Sequence, residues 1–523
     1  MTAAAISAPA TTPWNKRHVA AFVIMVFGMF MAILDIQIVS SSLSEIQAGI
    51  SASADEISWV QTSYLIAEVV MIPLSGTLTR IFSTRYLFVM SAAGFTLMSL
   101  MCALSTSINE MMVWRALQGF VGGAMIPTVF ATTFAIFPPD KRQVITPVIG
   151  LIATLAPTIG PTIGGYLTEL FSWQWLFLVN IIPGIIVTIG AYTLIDFDKP
   201  DFKLIKDFDW TGLALLATFL GSLEYILEEG AADDWLQSTL IFRLILICVI
   251  AGTVFFWRMF TKPNPLVDFS SFKNRNFTAG CIFSFTMGIG LYGLTYLYPV
   301  YLARIHQYSA LMIGETMFVT GIAMFLTAPI AGKLSTKVDP RIMIGGGFIG
   351  FAIGTWIASS ITVQWGFYEL LIPQILRGVS LMMCMVTVTN IALGNLPPQQ
   401  LRGGSGLFNL TRNLGGAVGL ALINTVMNQR TDLHLARLHE SVSWGHPTAE
   451  QTLQNMTNAF SNLGDAAPLV AIKKLSGLVR QQATNMAIAD IFFLLTILFL
   501  AIVLMTPLMQ KPKPQKATGG GGH

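Results

Sequence analysis

Apolar runs of about 20 residues, separated by short polar gaps, set the rhythm of this chain. They fall near 19–41, 57–79, 86–104, 111–136, 145–168, 175–195, 209–229, 240–260, 277–301, 310–332, 342–361, 369–394, 405–427 and 486–509. A helix rises about 1.5 Å per residue, so each run is long enough to cross a hydrocarbon core of about 30 Å. The pattern predicts an all-α membrane protein with fourteen transmembrane helices. The first run follows ‘MTAAAISAPATTPWNKRH’ without a small-x-small cleavage site, and reads as a spanning helix rather than a removed signal peptide.

The gaps carry charge unevenly. One set of gaps, with both chain ends, collects nineteen Lys or Arg, from Lys16 and Arg17 through Arg80, Arg85 and Arg402 to Lys511, Lys513 and Lys516. The opposite short gaps contribute Arg304 alone. Positive charge gathers on cytoplasmic loops, so both termini are expected in the cytoplasm, with residues 1–18 and 510–523 as tails. Residues 428–484 are a polar outer segment. It begins ‘NQRTDLHLARLHE’ with helical periodicity and is too long for a minimal turn.

Composition sharpens the picture. Hydrophobic residues fill 54% of 523 positions and charged ones 11%, roughly half the share of an ordinary soluble domain. The net charge of +3 gives no argument for nucleic acid. Cys102, Cys248, Cys281 and Cys384 lie in apolar runs without paired spacing, so neither a disulfide framework nor a metal site is expected. His434, His439 and His446 also lack ligand spacing. The tail ‘KATGGGGH’ is low complexity and carries no functional weight.

The chain repeats itself. ‘PLSGTLTRIFSTR’ (73–85) and ‘PIAGKLSTKVDPR’ (329–341) share Pro73/Pro329, Gly76/Gly332, Leu78/Leu334 and Arg85/Arg341 at one offset, and ‘RALQG’ (115–119) is echoed by ‘QILRG’ (374–378). This predicts two related six-helix bundles, 19–195 and 277–427 plus 486–509, with two accessory helices in 209–260 between them. Parallel halves of this kind are the plan of major facilitator transporters, whose substrate site lies near the midplane between two rocking bundles.

Local motifs carry the resemblance further. ‘GTLTRIFSTR’ resembles the superfamily's G-x-L-a-D-r-x-G-r-r loop, ‘RALQGFVGG’ its R-x-x-Q-G motif, and ‘APTIGPTIGGYL’ the G-P-x-x-G-G motif of antiporters. With ‘SWQWLFLVNIIPG’, ‘FDWTGLALL’, ‘NPLVDFSSFKNRNF’ and ‘SGLFNLTRNLGGAVG’, the chain resembles the fourteen-helix EmrB/QacA-type drug:proton antiporters, and the outer segment before the last helix leans it towards EmrB. Two departures stand out. Arg80 and Ser83 replace the usual Asp and Gly, so a latch through that aspartate cannot be assumed; and around Asp35 the Thr, Asn and Pro of the family's L-D-x-T-I-x-N-x-A-L-P are lost.

A carboxylate or guanidinium inside a spanning helix costs about 2.5 to 3.5 kcal/mol on insertion scales, so it faces a cavity or a partner. Asp35 is the candidate proton carrier: removing a carboxylate from water disfavours its charged form, as such a carrier requires. A structural hydrogen bond is its alternative. Arg115 is placed either in a salt bridge that protonation of Asp35 releases, or snorkelling to the interface. Glu68, with Tyr64 one turn away, is a second proton or cation site or a locally paired glutamate. Gly160, Pro161, Gly164 and Gly165 of the antiporter motif predict a kinked, closely packed helix. Gly76, Arg80, Arg85, Gln118, Gly119, Arg377, Arg412 and Asp490 are assigned to gating or packing, and Glu224 to an interfacial role on an accessory helix. Met31, Trp59, Tyr64, Phe120, Tyr292, Tyr296 and Met383 are candidates for a greasy substrate cavity, or ordinary packing.

The reading is of a proton-coupled exporter of hydrophobic or cationic compounds in a bacterial inner membrane, powered by the proton-motive force with no cofactor. A narrow-substrate exporter of a siderophore, fatty acid or metabolite is the alternative. The chain lacks Walker A, H-E-x-x-H and G-x-S-x-G sequences, which disfavours an enzyme, and off-axis acids suit a carrier better than a channel. The resemblance implies a periplasmic membrane-fusion adaptor (EmrA-like) and an outer-membrane channel (TolC-like), with 428–484 either the docking surface or a solvated loop.

Overall fold

The computed structural model describes residues 16–53, 56–263, 265–442 and 446–510. The expected tails, with Lys511, Lys513 and Lys516, lie almost wholly outside these residues.

Helices account for nearly everything described. The first group is α1 (Lys16–Ser41), the short α2 (Leu43–Ile50), α3 (Trp59–Ala103), α4 (Ile108–Gly122), α5 (Met125–Ile136), α6 (Pro139–Leu170), α7 (Trp175–Leu178) and α8 (Ile181–Leu194). A pair, α9 (Trp210–Glu229) and α10 (Thr239–Thr261), follows. The second group is α11 (Arg275–His306), α12 (Ala310–Lys337), α13 (Pro340–Ala358), α14 (Phe367–Gly394), α15 (Pro398–Ser441), α16 (Pro447–Ala459) and α17 (Ala467–Val503). Short polar residues start several of them: the side chains of Ser107, Asp209, Asn274, Ser309 and Asp339 each accept from a backbone N–H of the following turn.

Among the described residues, twelve helices are long and apolar enough to cross a membrane. Two features separate this from fourteen apolar stretches. The stretches at 57–79 and 86–104 lie in α3, which breaks at Ser83, where φ is 73° and ψ is 162°. The stretch at 405–427 lies within α15, a 44-residue helix with many polar and glycine positions that nevertheless buries Phe408, Asn409 and Arg412. The outer segment is not a loop for most of its length. The first part of 428–484 continues α15, the middle forms α16, and the last part opens α17, so the last helix begins well before residue 486.

Within each group the helices pack on one another, and the seam between groups runs along α6 against α12 and along α3 and α5 against α15. Helix α9 rests on both α3 and α15, bridging the seam, while α10 packs mainly on α9. The repeat has a spatial counterpart. At Gly119 a Cβ would collide with the carbonyl oxygen of Tyr64, and at Gly378 with that of Thr320, so the same glycine brings α4 onto α3 and α14 onto α12.

Candidate functional site

Asp35 and Arg115 meet inside the first group, with neither side chain exposed. Arg115 Nη1 donates to Asp35 Oδ2 at 2.7 Å, Asn180 Nδ2 to Oδ1 at 2.7 Å, and Gln118 Nε2 to Oδ1 at 3.3 Å. Arg115 is held from behind: Nε donates to the Val60 carbonyl at 3.1 Å, Nη1 also donates to Gln118 Oε1 at 2.7 Å, and its guanidinium lies 4.2 Å from the centre of the Tyr64 ring. Ser99 Oγ accepts from Gln118 at 2.8 Å and lies 3.4 Å from Asn180 Nδ2. Charge-assisted bonds of this kind are short and strong, and in a dry interior they offset the cost of burying the pair: both Asp35 oxygens have donors, while Arg115 Nη2 is buried without a hydrogen-bond partner. Arg115 therefore does not snorkel. Asn180 and Ser99 do not stand out in the sequence, because neither carries a charge into its apolar run.

Beside this cluster, on the seam, lies a cavity of about 470 Å³ lined by residues of α1, α2, α3, α6, α9, α11, α12 and α15. It continues into a narrower space of about 80 Å³, and Gln37, Gln61, Leu65, Glu228, Tyr292 and Leu420 belong to both. Tyr292, Tyr296 and Pro161 line the wide part, and Glu68, Glu224 and Glu228 the narrow part. Tyr296 donates to Asn424 Oδ1 at 2.7 Å. Of the other cavity candidates, Tyr64 sits behind the wall under Arg115, Met31 is buried in packing, Phe120 is exposed on the outer surface of α4, and neither Met383 nor Trp59, which packs at a tilt against Tyr225, lines these spaces. Glu224 differs most from expectation: α9 straddles the seam, which turns Glu224 into the cavity instead of towards an interface.

The end of the molecule that carries the basic loops is closed across the seam. Arg402, at the start of α15, donates to Asp198 Oδ2 at 2.6 Å, and the same carboxylate accepts from the Thr84 N–H and hydroxyl at 2.9 and 3.0 Å. Ser405 Oγ donates to the Pro127 carbonyl at 2.6 Å, and a Cβ on Gly76 would lie 2.9 Å from the Arg402 carbonyl oxygen. Arg80, where the superfamily motif has its aspartate, is exposed, and the carboxylate that bridges the seam comes from Asp198. Ser83 takes the backbone of the missing glycine. Arg85 ties to the Ile195 carbonyl and lies 3.8 Å from Asp196.

The remaining candidates pack. In α6, Gly160 meets Gln37 and Gly164 meets Ser41 and the Ile38 carbonyl, pressing this helix onto α1, while the Gly165 carbonyl accepts from Thr168. Arg377 donates to Thr295 Oγ1 and faces Tyr298, with its Nε and Nη1 buried and unpartnered; among the described residues no carboxylate bridges to it as Asp35 does to Arg115. Arg412 donates to Asn409 Oδ1 at 2.6 Å and lies over Phe130 across the seam. Asp490 joins α17 to α15 through His434 at 2.8 Å and Arg430 at 3.6 Å. Among the described residues no group of three or more His, Cys, Asp or Glu is placed to hold a metal.

Two bundles, a seam cavity and an embedded acid–arginine pair agree with the family match: the Major Facilitator Superfamily model covers residues 25–420. The chain belongs to this superfamily. Within it the chain is of the EmrB type, being 43% identical to the colistin resistance protein EmrB of Acinetobacter baumannii over 97% of this chain and 98% of that protein. The multidrug export protein EmrB of Escherichia coli (strain K12) is 30% identical over 94% and 96% of the two chains, and the fatty acid resistance protein FarB of Neisseria gonorrhoeae 28% identical over 95% and 96%. Among solved superfamily structures, the human organic anion transporter MFSD10 (TETRAN) gives a TM-score of 0.58 at 12% identity over 93% of this chain and 100% of that one. The proton:xylose symporter XylE gives 0.57 at 12% identity over 93% and 96%. Both show the fold alone.

Proposed function

We propose that this transporter is a proton-coupled multidrug exporter that works by alternating access, with Asp35 and Arg115 as the coupling pair. The observation that carries the reading is the fully buried Asp35–Arg115 bridge behind a seam cavity whose basic end is latched by Arg402 and Asp198. Protonation of Asp35 removes the charge that holds Arg115 and frees the two to separate; deprotonation reclamps them. Each charge moved inward through the membrane potential supplies about 2.3 kcal/mol per 100 mV. The names of the relatives, multidrug export and colistin resistance, support drugs as cargo. FarB, named for fatty acid resistance, supports a narrow-substrate exporter as the second reading.

In this reading the broken α3 crosses twice and α15 once, which makes fourteen crossings with both ends in the cytoplasm of a bacterial inner membrane. Residues 19–195 and 277–427 with 486–509 are the two moving bundles, 209–260 the accessory pair. The extended ends of α15 and α17, with α16, rise on the periplasmic side as the surface for an EmrA-like adaptor leading to a TolC-like channel.

The test is ethidium efflux from energised cells expressing the wild type or Asp35→Asn at equal membrane abundance, with and without a protonophore. Export by the wild type that both the mutation and the protonophore abolish is expected. Export that persists in Asp35→Asn, or in the presence of the protonophore, sinks the coupling role.

A further inference from the structure

Glu68, Glu224 and Glu228 line the narrow end of the seam cavity, whereas no lysine, arginine or histidine is among the residues lining either part. Two of the three come from α9, a helix outside the repeat. Glu224 is only 5% exposed and its Oε2 has no hydrogen-bond partner, although it faces the cavity. Its neighbour Glu229 shows the contrast, since there Oε1 accepts from Thr62 Oγ1 at 2.9 Å. A carboxylate left unpartnered inside a membrane protein is costly, and its position beside a cavity marks a place for a positive charge from outside the chain.

The nearest arginines, Arg115 and Arg412, attract Glu68 through space, but neither lines the cavity and neither acts on Glu224 or Glu228. Arg115 is committed to Asp35, and Arg412 to Asn409. The wide part supplies what the rest of an organic cation needs. The rings of Tyr292 and Tyr296 line it, with Leu227, Val300 and Ile313, and a cation over a tyrosine face gains roughly 0.5–2 kcal/mol. Aromatic and aliphatic walls at one end and carboxylates at the other match an elongated molecule with more than one positive charge.

We infer that the accessory helix α9 is a wall of the substrate site, and that Glu224 and Glu228, with Glu68, form a subsite for organic dications. This rests on the exporter reading and names its substrate class. One charge seats among the carboxylates, and the body lies along Tyr292 and Tyr296 with the second charge toward the wide mouth. A carboxylate-to-amide change keeps the shape of the wall and removes its charge. It should therefore weaken a dication far more than a single-charge cation that reaches only the tyrosines.

The test uses the full-length transporter in nanodiscs, with equilibrium binding of dequalinium, a long dication, and of tetraphenylphosphonium, a monocation. Binding is compared for wild type, Glu224→Gln and Glu228→Gln, each first checked for wild-type thermal unfolding without ligand. Should Glu224→Gln fail that check, Glu224→Asp, which keeps the charge and draws it back from the cavity, takes its place. The expected result is at least a tenfold loss of dequalinium affinity in the Glu224 variant, with less than a threefold loss for tetraphenylphosphonium. Equal losses for both probes, or no loss for dequalinium, overturn the subsite. A wild type that pumps ethidium but binds dequalinium no more tightly than the monocation also overturns it, leaving the exporter reading intact. A wild type that binds dequalinium through Glu224 but moves no drug against a gradient keeps the subsite and removes the exporter reading.

Discussion

Arg402 reaches across the seam to Asp198 at 2.6 Å, joining the first turn of α15 to the segment that follows α8. Both partners are partly exposed, so the bridge is worth roughly 0.5–1 kcal/mol, enough to bias two conformations about two- to fivefold. Arg402→Ala should increase the fraction of molecules open at the basic end by that factor. Distances between spin labels on the basic ends of α3 and α15 would report it, and an unchanged distribution would remove Asp198 from the latch.

The Asp35–Arg115 bridge predicts strong non-additivity. Removing one partner leaves a buried charge unpaired and should cost about 3–5 kcal/mol. Asp35→Asn and Arg115→Gln should each lower thermal stability, while the double variant recovers part of the loss without recovering coupled efflux. Additive losses in unfolding experiments would contradict the bridge.

Asn180 gives a sharper check, because it touches Asp35 through one short bond, at 2.7 Å. Asn180→Leu removes that donor and should destabilise by about 1–3 kcal/mol, with a slower proton-driven efflux rate. Unfolding temperature and initial ethidium efflux rate, measured on the same preparation, test both halves of the prediction.

Ser83 holds a backbone at φ 73°, ψ 162° that only glycine adopts without strain, at a cost of roughly 1–3 kcal/mol. Ser83→Gly should raise stability by about 1 kcal/mol even after glycine's own entropy loss, and Ser83→Val should lower it. Thermal unfolding of the three proteins decides this.

Asp209 caps α9 and binds Arg258 and Lys262 at 2.7 and 3.1 Å. Burial works against its ionisation, but the donors from Arg258, Gly212 and Lys262 prevail and bring its pKa down to about 2. A carboxylate lowered on folding contributes stability above its unfolded value of about 3.9, and that contribution is lost as pH falls towards 2. Amide exchange at the start of α9 should therefore be flat from pH 8 to 5 apart from intrinsic chemistry, and Asp209→Asn should speed it throughout that range.

These sites were not equally visible in the sequence. Asp35, Arg115 and Glu68 announce themselves because a charge inside an apolar run has no other explanation. Asn180 and Ser99 do not, since small polar groups in membrane helices usually satisfy their own backbone, as Thr128 does with the Ala124 carbonyl. Asp198 was hidden because it lies more than a hundred positions from Thr84, and a latch rebuilt from a distant segment leaves no local motif. Glu224 was misplaced for a related reason. Periodicity marks α9 as one helix more, but only packing on α3 and α15 together puts its acids in the seam. The helical periodicity at the start of 428–484 is legible, but not that it continues α15 without a break, because hydropathy marks where lipid ends and not where a helix ends.

The glycine pairings have a genetic consequence. A side chain added at Gly119 meets the Tyr64 carbonyl oxygen, and one added at Gly378 meets that of Thr320. Every residue has that oxygen, so no replacement at position 64 or 320 can make room. A selection for restored activity in Gly119→Ala should return true revertants and changes that shift α3 or α4 as a whole, and it should leave codon 64 untouched.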